Sequence, residues 1–393
     1  MSVTAPKGFL ASGVAAGLRI GGGLDVALVV NDGPDATAAG VFTANRVKAA
    51  PVLWSRQVLR AGTARVVVLN AGGANACTGP QGFQDTHATA EAAAARVTAS
   101  GLAGGRLVVG PADVVVCSTG LIGERLPMPR LLAGVEQATR RLARDGGAAA
   151  AEAIMTTDTV PKATAVEAEG WTVGGMAKGA GMIAPALATM LCVLTTDAVA
   201  DASVLADALT AATAETFDRL DSDGCQSTND TVVLLASGAS GISPSARELT
   251  DAVTTVCRDL AMALLADAEG STKDIEIEVQ QAQSVADAVE VGRAVARSNL
   301  VKTALFGNDP NWGRILAAVG TTRAGFEPDD LAVAINGVWV CRAGAAADDR
   351  SKVDLSGRAV HIIVDLGAGP DAAAVWTNDL SVAYVHENSA YST

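Results

Sequence analysis

Aromatic residues are scarce in this chain of 393: five Trp, two Tyr and six Phe make up 3% of it. Large rings therefore do not fill the interior, and small aliphatic side chains packed closely must do so. Histidine is rarer still. His87, His361 and His386 lie far apart without metal-ligand spacing, which argues against a histidine-built zinc site. A Ser-His-Asp triad survives the count, but no GxSxG elbow is present to carry one. Basic residues are outnumbered, 29 Lys and Arg against 42 Asp and Glu, for a formal charge of −13. No basic cluster can neutralise a run of phosphates, so a nucleic acid or an anionic membrane surface is not expected as partner, and a small molecule is. The six cysteines stand singly with no CxxC pair, and the opening MSVTAPKGFL lacks the basic-then-apolar profile of a secretory signal. Both point to a reducing cytoplasm. No long apolar run occurs around the residues of interest; Gly179 to Thr196 is interrupted by Gly, Pro185 and Thr and is too short and broken to span a membrane.

What is present is core material, 49% apolar residues over a length that suggests two packed domains or one large α/β unit. Val26–Val30, Val66–Leu69 and Val114–Cys117 are short, β-branched and bounded by Gly or Pro, and read as buried strands. Helical spacing runs near 85–99, 130–145, 203–220, 246–268 and 285–297, with Ser245-Ala-Arg-Glu248 as a capping box before the fourth. Asp274–Val279 alternates acid and aliphatic and predicts a strand with one wet face carrying solvated carboxylates. Residues 331–335, 338–340 and 360–364 are also strand-like. The Gly-rich Glu169 to Gly181 region is the nearest thing to a soft boundary.

Several segments carry candidate chemistry. In Lys178-Gly-Ala-Gly-Met182, followed by Ala188-Thr-Met-Leu191, a loop of small residues runs into a buried-looking strand that begins with Thr189. Glycine lets the backbone bend closely there, so the Thr189 hydroxyl can attack the Ala188 carbonyl, shifting the acyl group from nitrogen to oxygen, and water then hydrolyses that ester and cuts the chain. The freed Thr189 then holds a hydroxyl nucleophile and an α-amine of pKa roughly 7.7 to 8.0, which can take the hydroxyl proton without histidine. Taken alone, an Ala-Thr step is also an ordinary entry to a core strand. Cys117-Ser-Thr-Gly-Leu-Ile-Gly123 is either a plain strand-to-loop turn or one that aims backbone N–H groups at an oxyanion. Met155-Thr-Thr-Asp-Thr159 suits an amino-acid head group or a helix cap. Lys178 suits a substrate carboxylate or plain solvent, and Glu269 a substrate ammonium or the surface. Asn70–Gly79 and Ile20–Gly23 resemble phosphate loops but lack the full patterns. Asp221–Thr231 is rich in oxygen ligands yet lacks the terminal Glu of a calcium loop, and reads as a tight polar turn.

In order along the chain, Asn75-Ala-Cys-Thr-Gly79, Ser118–Gly123, Met155–Thr159, Lys178–Met182 with Ala188–Leu191, Asp221–Cys225, Leu300–Ala304, Asp309–Arg314 and Glu387–Thr393 together resemble the ornithine acetyltransferase (glutamate N-acetyltransferase) family of arginine biosynthesis. The resemblance spans nearly the whole chain. It implies an N-terminal-nucleophile-like α/β sandwich with a second, smaller α/β domain. It also implies self-cleavage between Ala188 and Thr189 into an α chain, 1–188, and a β chain, 189–393, that stay together as one intertwined unit. Thr189 is implied as nucleophile, Thr119 and Gly120 as oxyanion hole, and Thr156, Lys178, Thr189, Glu269, Asn388 and Thr393 as substrate contacts. We assign the α-carboxylate to Lys178 and the far ammonium of ornithine to Glu269 on chemical grounds. Functional residues at 388 and 393 would make the C-terminal segment a motif and not a frayed tail.

The activity so implied is transfer of an acetyl group from N2-acetylornithine to glutamate through an acetyl-Thr189 ester, with ornithine and N-acetylglutamate as products. No metal or organic cofactor is needed, and acetyl-CoA is an open second donor. An α2β2 heterotetramer in the cytoplasm is the implied form. The pattern is departed from at Ala71 and Gly73, where Ser and Asn are usual, and at Ala186-Leu187, where Asn-Met or Asp-Met is usual; these touch a wall of the site and the cleavage loop. The rival readings are a self-cleaving amidase or aminopeptidase, in which water takes the acyl group, and a non-catalytic binder of basic amino acids.

Overall fold

The computed structural model describes residues 2–184 and 190–390. Its framework follows from valine-rich strands that need cover on both faces. Phe9–Val14, Val26–Asn31, Val66–Asn70 and Val114–Ser118 form a four-stranded sheet in that order, antiparallel except for the last pair, and every residue in them is buried. Side chains alternate between the faces of a strand. Val26, Leu28, Val66, Val68, Val114 and Val116 accordingly meet the helices Gly79–Ala99 and Met128–Arg140. Ala27, Val29, Val67, Leu69, Val115 and Cys117 face Met176, Leu191, Val193, Val233 and Leu235 of a second sheet.

That second sheet has the order Thr37–Phe42, Thr231–Ala236, Leu191–Thr196, Thr172–Lys178, Lys162–Glu167. Its outer face, with Val173, Cys192, Leu194, Val232 and Leu234, is covered by Ala202–Glu215 and Ala246–Ala266. The result is a helix–sheet–sheet–helix sandwich. A smaller α/β unit follows, in which a six-stranded sheet including Asp274–Ala282, Ala359–Asp365 and Asp371–Asn378 packs its Ile275, Ile277, Val279, Ile362 and Val364 against Val285–Ala296 and Trp312–Val319. The mixed α/β class and the second smaller unit are as expected.

The Ser245–Glu248 capping box is present in both directions. Asp274–Ala282 alternates half-buried and buried as its pattern predicts, although Glu278 is not simply solvated: His361 Nε2 lies 3.0 Å from its carboxylate. Two expected helices stop early. Past Arg140, Ala143 exchanges backbone hydrogen bonds with Ala11 of the first sheet, so strand pairing overrides helical propensity. Past Glu215, a short 3₁₀ turn, Phe217–Arg219, turns Phe217 into the core. The expected soft boundary at 169–181 is instead largely a buried strand. Gly174 and Gly175 sit where a β-carbon would fall 2.3 Å from the Ser2 carbonyl oxygen and 2.8 Å from Leu194, so glycine there marks close approach of neighbours and not a linker.

Candidate active site

The carboxyl ends of paired strands bring the candidates together. Asn70 and Ser118 are neighbours in the parallel pair, and the Thr119 N–H donates to the Asn70 carbonyl at 2.9 Å. The Thr119 carbonyl accepts from Gly73 N, while Asn229 Nδ2 donates to the carbonyls of Ala74 and Ser118 at 2.6 and 2.7 Å. Gly120 then runs at φ +127°, and a β-carbon on it would fall 2.5 Å from Gly73 N, so only glycine fits. The Thr119 N–H is thus spent inside the fold. Its hydroxyl is not. Lys178 Nζ donates to Thr119 Oγ1 at 3.2 Å, and an ammonium has no lone pair to accept in return, so the hydroxyl proton must point elsewhere. Among the described residues the Gly120 N–H has no hydrogen-bond acceptor.

Lys178 ends the strand Thr172–Lys178 opposite Leu191 and is 1% exposed, so it is no solvated lysine. A train of alternating charge backs it. Asp158 accepts from Gly179 N at 2.7 Å, Thr156 N at 3.0 Å and Lys162 Nζ at 2.6 Å, and Lys162 also donates to Asp267 at 2.6 Å. Burial would raise the Asp158 carboxyl, but Lys178, Lys162 and the Gly179 N–H outweigh it and hold it below the usual range. Burial and Lys162 push the Lys178 ammonium down while Asp158, Asp230 and Glu269 push back, and it ends below its ordinary value. The cap reading of Met155–Thr159 fails, since the helix before it ends at Ala153 and the next element is the strand from Lys162. Asp158→Ala, which strands buried cations, is expected to cost about 3–5 kcal/mol in a urea titration near neutral pH. A carboxyl held low when folded stabilises above the unfolded value of 3.8, so the gap from the unsubstituted protein closes as acid carries the pH through the lowered value.

Glu269 is not a free surface acid. Its N–H donates to the Ala180 carbonyl at 2.9 Å, Asn388 Nδ2 donates to its carboxylate at 3.0 Å, and a β-carbon on Gly181 would lie 2.6 Å from that carboxylate. It forms one wall of a cavity of about 200 Å³ bordered also by Asp223, Arg297, Asn299, Lys302, Asp379 and Tyr384. Burial pushes Lys302 down to about 8 against Asp223, Asp221 and Asp379. The carboxylates of the 221–231 turn point to separate partners, Asp221 to Arg297 and Asp230 to Met190 N, and no cluster able to hold a metal ion occurs among the described residues.

Lys178 thus touches Thr119, which Gly120 follows in the chain; Thr156 joins them through Asp158 on Gly179 N, and Glu269 with Asn388 joins through the Ala180 carbonyl. Ala186, Leu187, Ala188, Thr189 and Thr393 lie outside the described residues. The strand that follows position 189 is fixed, however: Met190 N donates to Asp230 and Leu191 pairs with Lys178. Asp158 and Asp230 lie in segments already marked by sequence but without these partners, and Lys162 with its second acid, Asp267, carries no sequence signal because 105 residues separate the two. Gly73, one of the two departures near 70–79, has a reason: a β-carbon there would meet Leu126 at 2.8 Å.

A model of the ArgJ family matches residues 10–393. "Arginine biosynthesis bifunctional protein ArgJ" of Streptomyces avermitilis is 62% identical over 393 residues, all of both chains, and that of Thermobifida fusca 63% over 394 residues, again all of both. Among solved structures, ornithine acetyltransferase from Mycobacterium tuberculosis complexed with ornithine is 58% identical, with a TM-score of 0.45 over 48% of this chain and 96% of that one. Among the described residues no helix is long and apolar enough to cross a membrane.

Proposed function

Because this chain belongs to the ArgJ family, we propose that it is an acetyltransferase of arginine biosynthesis that moves acetyl from N2-acetylornithine to glutamate. The observation that carries the reading is the buried Lys178 ammonium on the Thr119 hydroxyl, at the strand position paired with Leu191. It ties a polarised donor, a cation for a carboxylate and the strand following Thr189 into one place.

The chain is first cut between Ala188 and Thr189. The Thr189 hydroxyl then attacks the acetyl carbonyl, and the Thr189 α-amine takes the hydroxyl proton. The Thr119 hydroxyl and the Gly120 N–H hold the developing oxyanion. The bond from acetyl carbon to the ornithine α-nitrogen breaks, the proton passes to that nitrogen, and an acetyl ester stays on Thr189. The α-amine of glutamate attacks this ester and returns the oxygen of Thr189 as a hydroxyl. Lys178 and Thr156 hold the α-carboxylate, Glu269 the far ammonium, and Asn388 and Thr393 close the same site. All required groups are side chains or backbone of this chain, and no cofactor takes part in these steps.

The relatives' designation as bifunctional supports a second acetylation on the same machinery, with acetyl-CoA as the donor. Segments 1–188 and 189–393 are the two products of the cut, which assemble as α2β2 in the cytoplasm. Intact mass of the denatured protein before and after brief incubation with N-acetylornithine tests the core of this. Two fragments meeting at 188 and 189, with one acetyl added to the later one, are expected; a single unacetylated chain that turns nothing over would overturn it.

A further inference from the structure

Donor and acceptor in this exchange are alike at the reacting end and opposite in charge at the far end. One side chain ends in an ammonium, the other in a carboxylate. A single cavity serving both needs an anion and a cation with unspent hydrogen-bonding capacity. The cavity behind Glu269 has charged groups of both signs in its wall, and most of them are already committed. Lys302 gives its three protons to the Ser222 carbonyl at 2.7 Å, Thr377 Oγ1 at 3.0 Å and the Asn378 carbonyl. Asp379 accepts from the backbone of Thr272 and Lys273, and Asp223 from the amides of Cys225, Ile183 and Met182. Two remain. Glu269 accepts only from Asn388 among the described residues. Arg297 uses only Nε, on Asp221 Oδ2 at 2.8 Å, and its Nη groups take no acceptor among the described residues.

We infer that this cavity receives the far end of both amino acids, and that Arg297 is the specificity-determining cation for the carboxylate-ended acceptor, as Glu269 is the anion for the ammonium-ended donor. The buried Asp221 carboxylate fixes Nε and so presents the two Nη groups as a fork, the geometry that matches a carboxylate in bidentate fashion. Glutamate and ornithine then exchange in one chamber without rearrangement of the fold, each meeting its own counter-charge.

The inference rests on the acetyltransferase reading, and the ping-pong scheme separates the two. Exchange of labelled ornithine into N-acetylornithine uses ammonium-ended molecules alone, whereas transfer to glutamate also needs the carboxylate site. Arg297→Gln is expected to raise the KM for glutamate by about 10- to 100-fold, the value of a lost charge-assisted hydrogen bond pair. Ornithine exchange falls by a far smaller factor, and the preference for glutamate over glutamine collapses. Arg297→Lys restores part of that preference. Should the single variant fail to fold, Asp221→Asn with Arg297→Gln removes both partners and leaves no buried charge unpaired, so it carries the same test. Equal losses in both reactions with the glutamate-over-glutamine preference intact would sink the assignment, leaving Arg297 a structural partner of Asp221. Absence of exchange in the unsubstituted protein would instead sink the acetyltransferase reading itself.

Discussion

Thr189→Ala is expected to leave a single chain of 393 residues and to remove acetyl transfer, a loss of about 10⁴-fold or more, as when the nucleophile of a covalent mechanism is deleted. Two events fail for one reason, since in the proposed mechanism the same hydroxyl performs the cut and carries the acetyl group. Thr189→Ser keeps a hydroxyl in place and should keep both events at reduced rate. The check is intact mass together with a progress curve for N-acetylglutamate. An alanine variant that stays in one piece and still transfers acetyl would remove Thr189 from the mechanism. A thermal shift with ornithine shows whether the uncut variant keeps its pocket, which separates lost chemistry from lost fold.

Gly120→Ala should cost about 10²–10³-fold in kcat, the range for removing or misplacing an oxyanion donor, the role proposed for its N–H. The argument is geometric. At φ +127° an L side chain is strained, and its β-carbon would lie 2.5 Å from Gly73 N and 2.7 Å from the Gly72 carbonyl carbon. Those atoms are backbone, so the turn itself must move and take the Gly120 N–H with it. Thr119→Val is the companion, since it keeps the side-chain shape and deletes only the hydroxyl donor. Both should lower kcat with a smaller change in KM, because donors in the proposed role act on charge that develops during reaction. A rise in KM alone for either one would place them in ground-state binding instead.

How much of this was legible beforehand depended on whether the signal was local. Val114–Ser118 and Asp274–Ala282 declare themselves through β-branching and alternation, and the helix at 246 through its capping box. Thr172–Lys178 did not, because its two consecutive glycines imitate a loop; the tight approach of Ser2 and Leu194 that requires them is set by distant parts of the chain. The candidate site was read mainly through family resemblance. Residue types alone left Lys178 and Glu269 open between solvent and substrate, and only burial and partners decide such cases. Lys162 makes the same point, since its neighbour Asp158 is four residues away but its 2.6 Å contact with Asp267 exists only after a strand start and a distant helix end have met.

The second sheet draws strands from both sides of position 189. Its order places Thr231–Ala236 and Leu191–Thr196 between Thr37–Phe42 on one side and Thr172–Lys178 with Lys162–Glu167 on the other. Before the proposed cut this arrangement folds as a first-order event within one chain. Afterwards it does not, because two separate molecules must find each other and interleave their strands, and recovery from the unfolded state becomes second-order in protein. The cut form should accordingly be long-lived once made yet slow to regain its structure after denaturation at low concentration, while an uncut Thr189→Ala chain regains it at a rate independent of dilution.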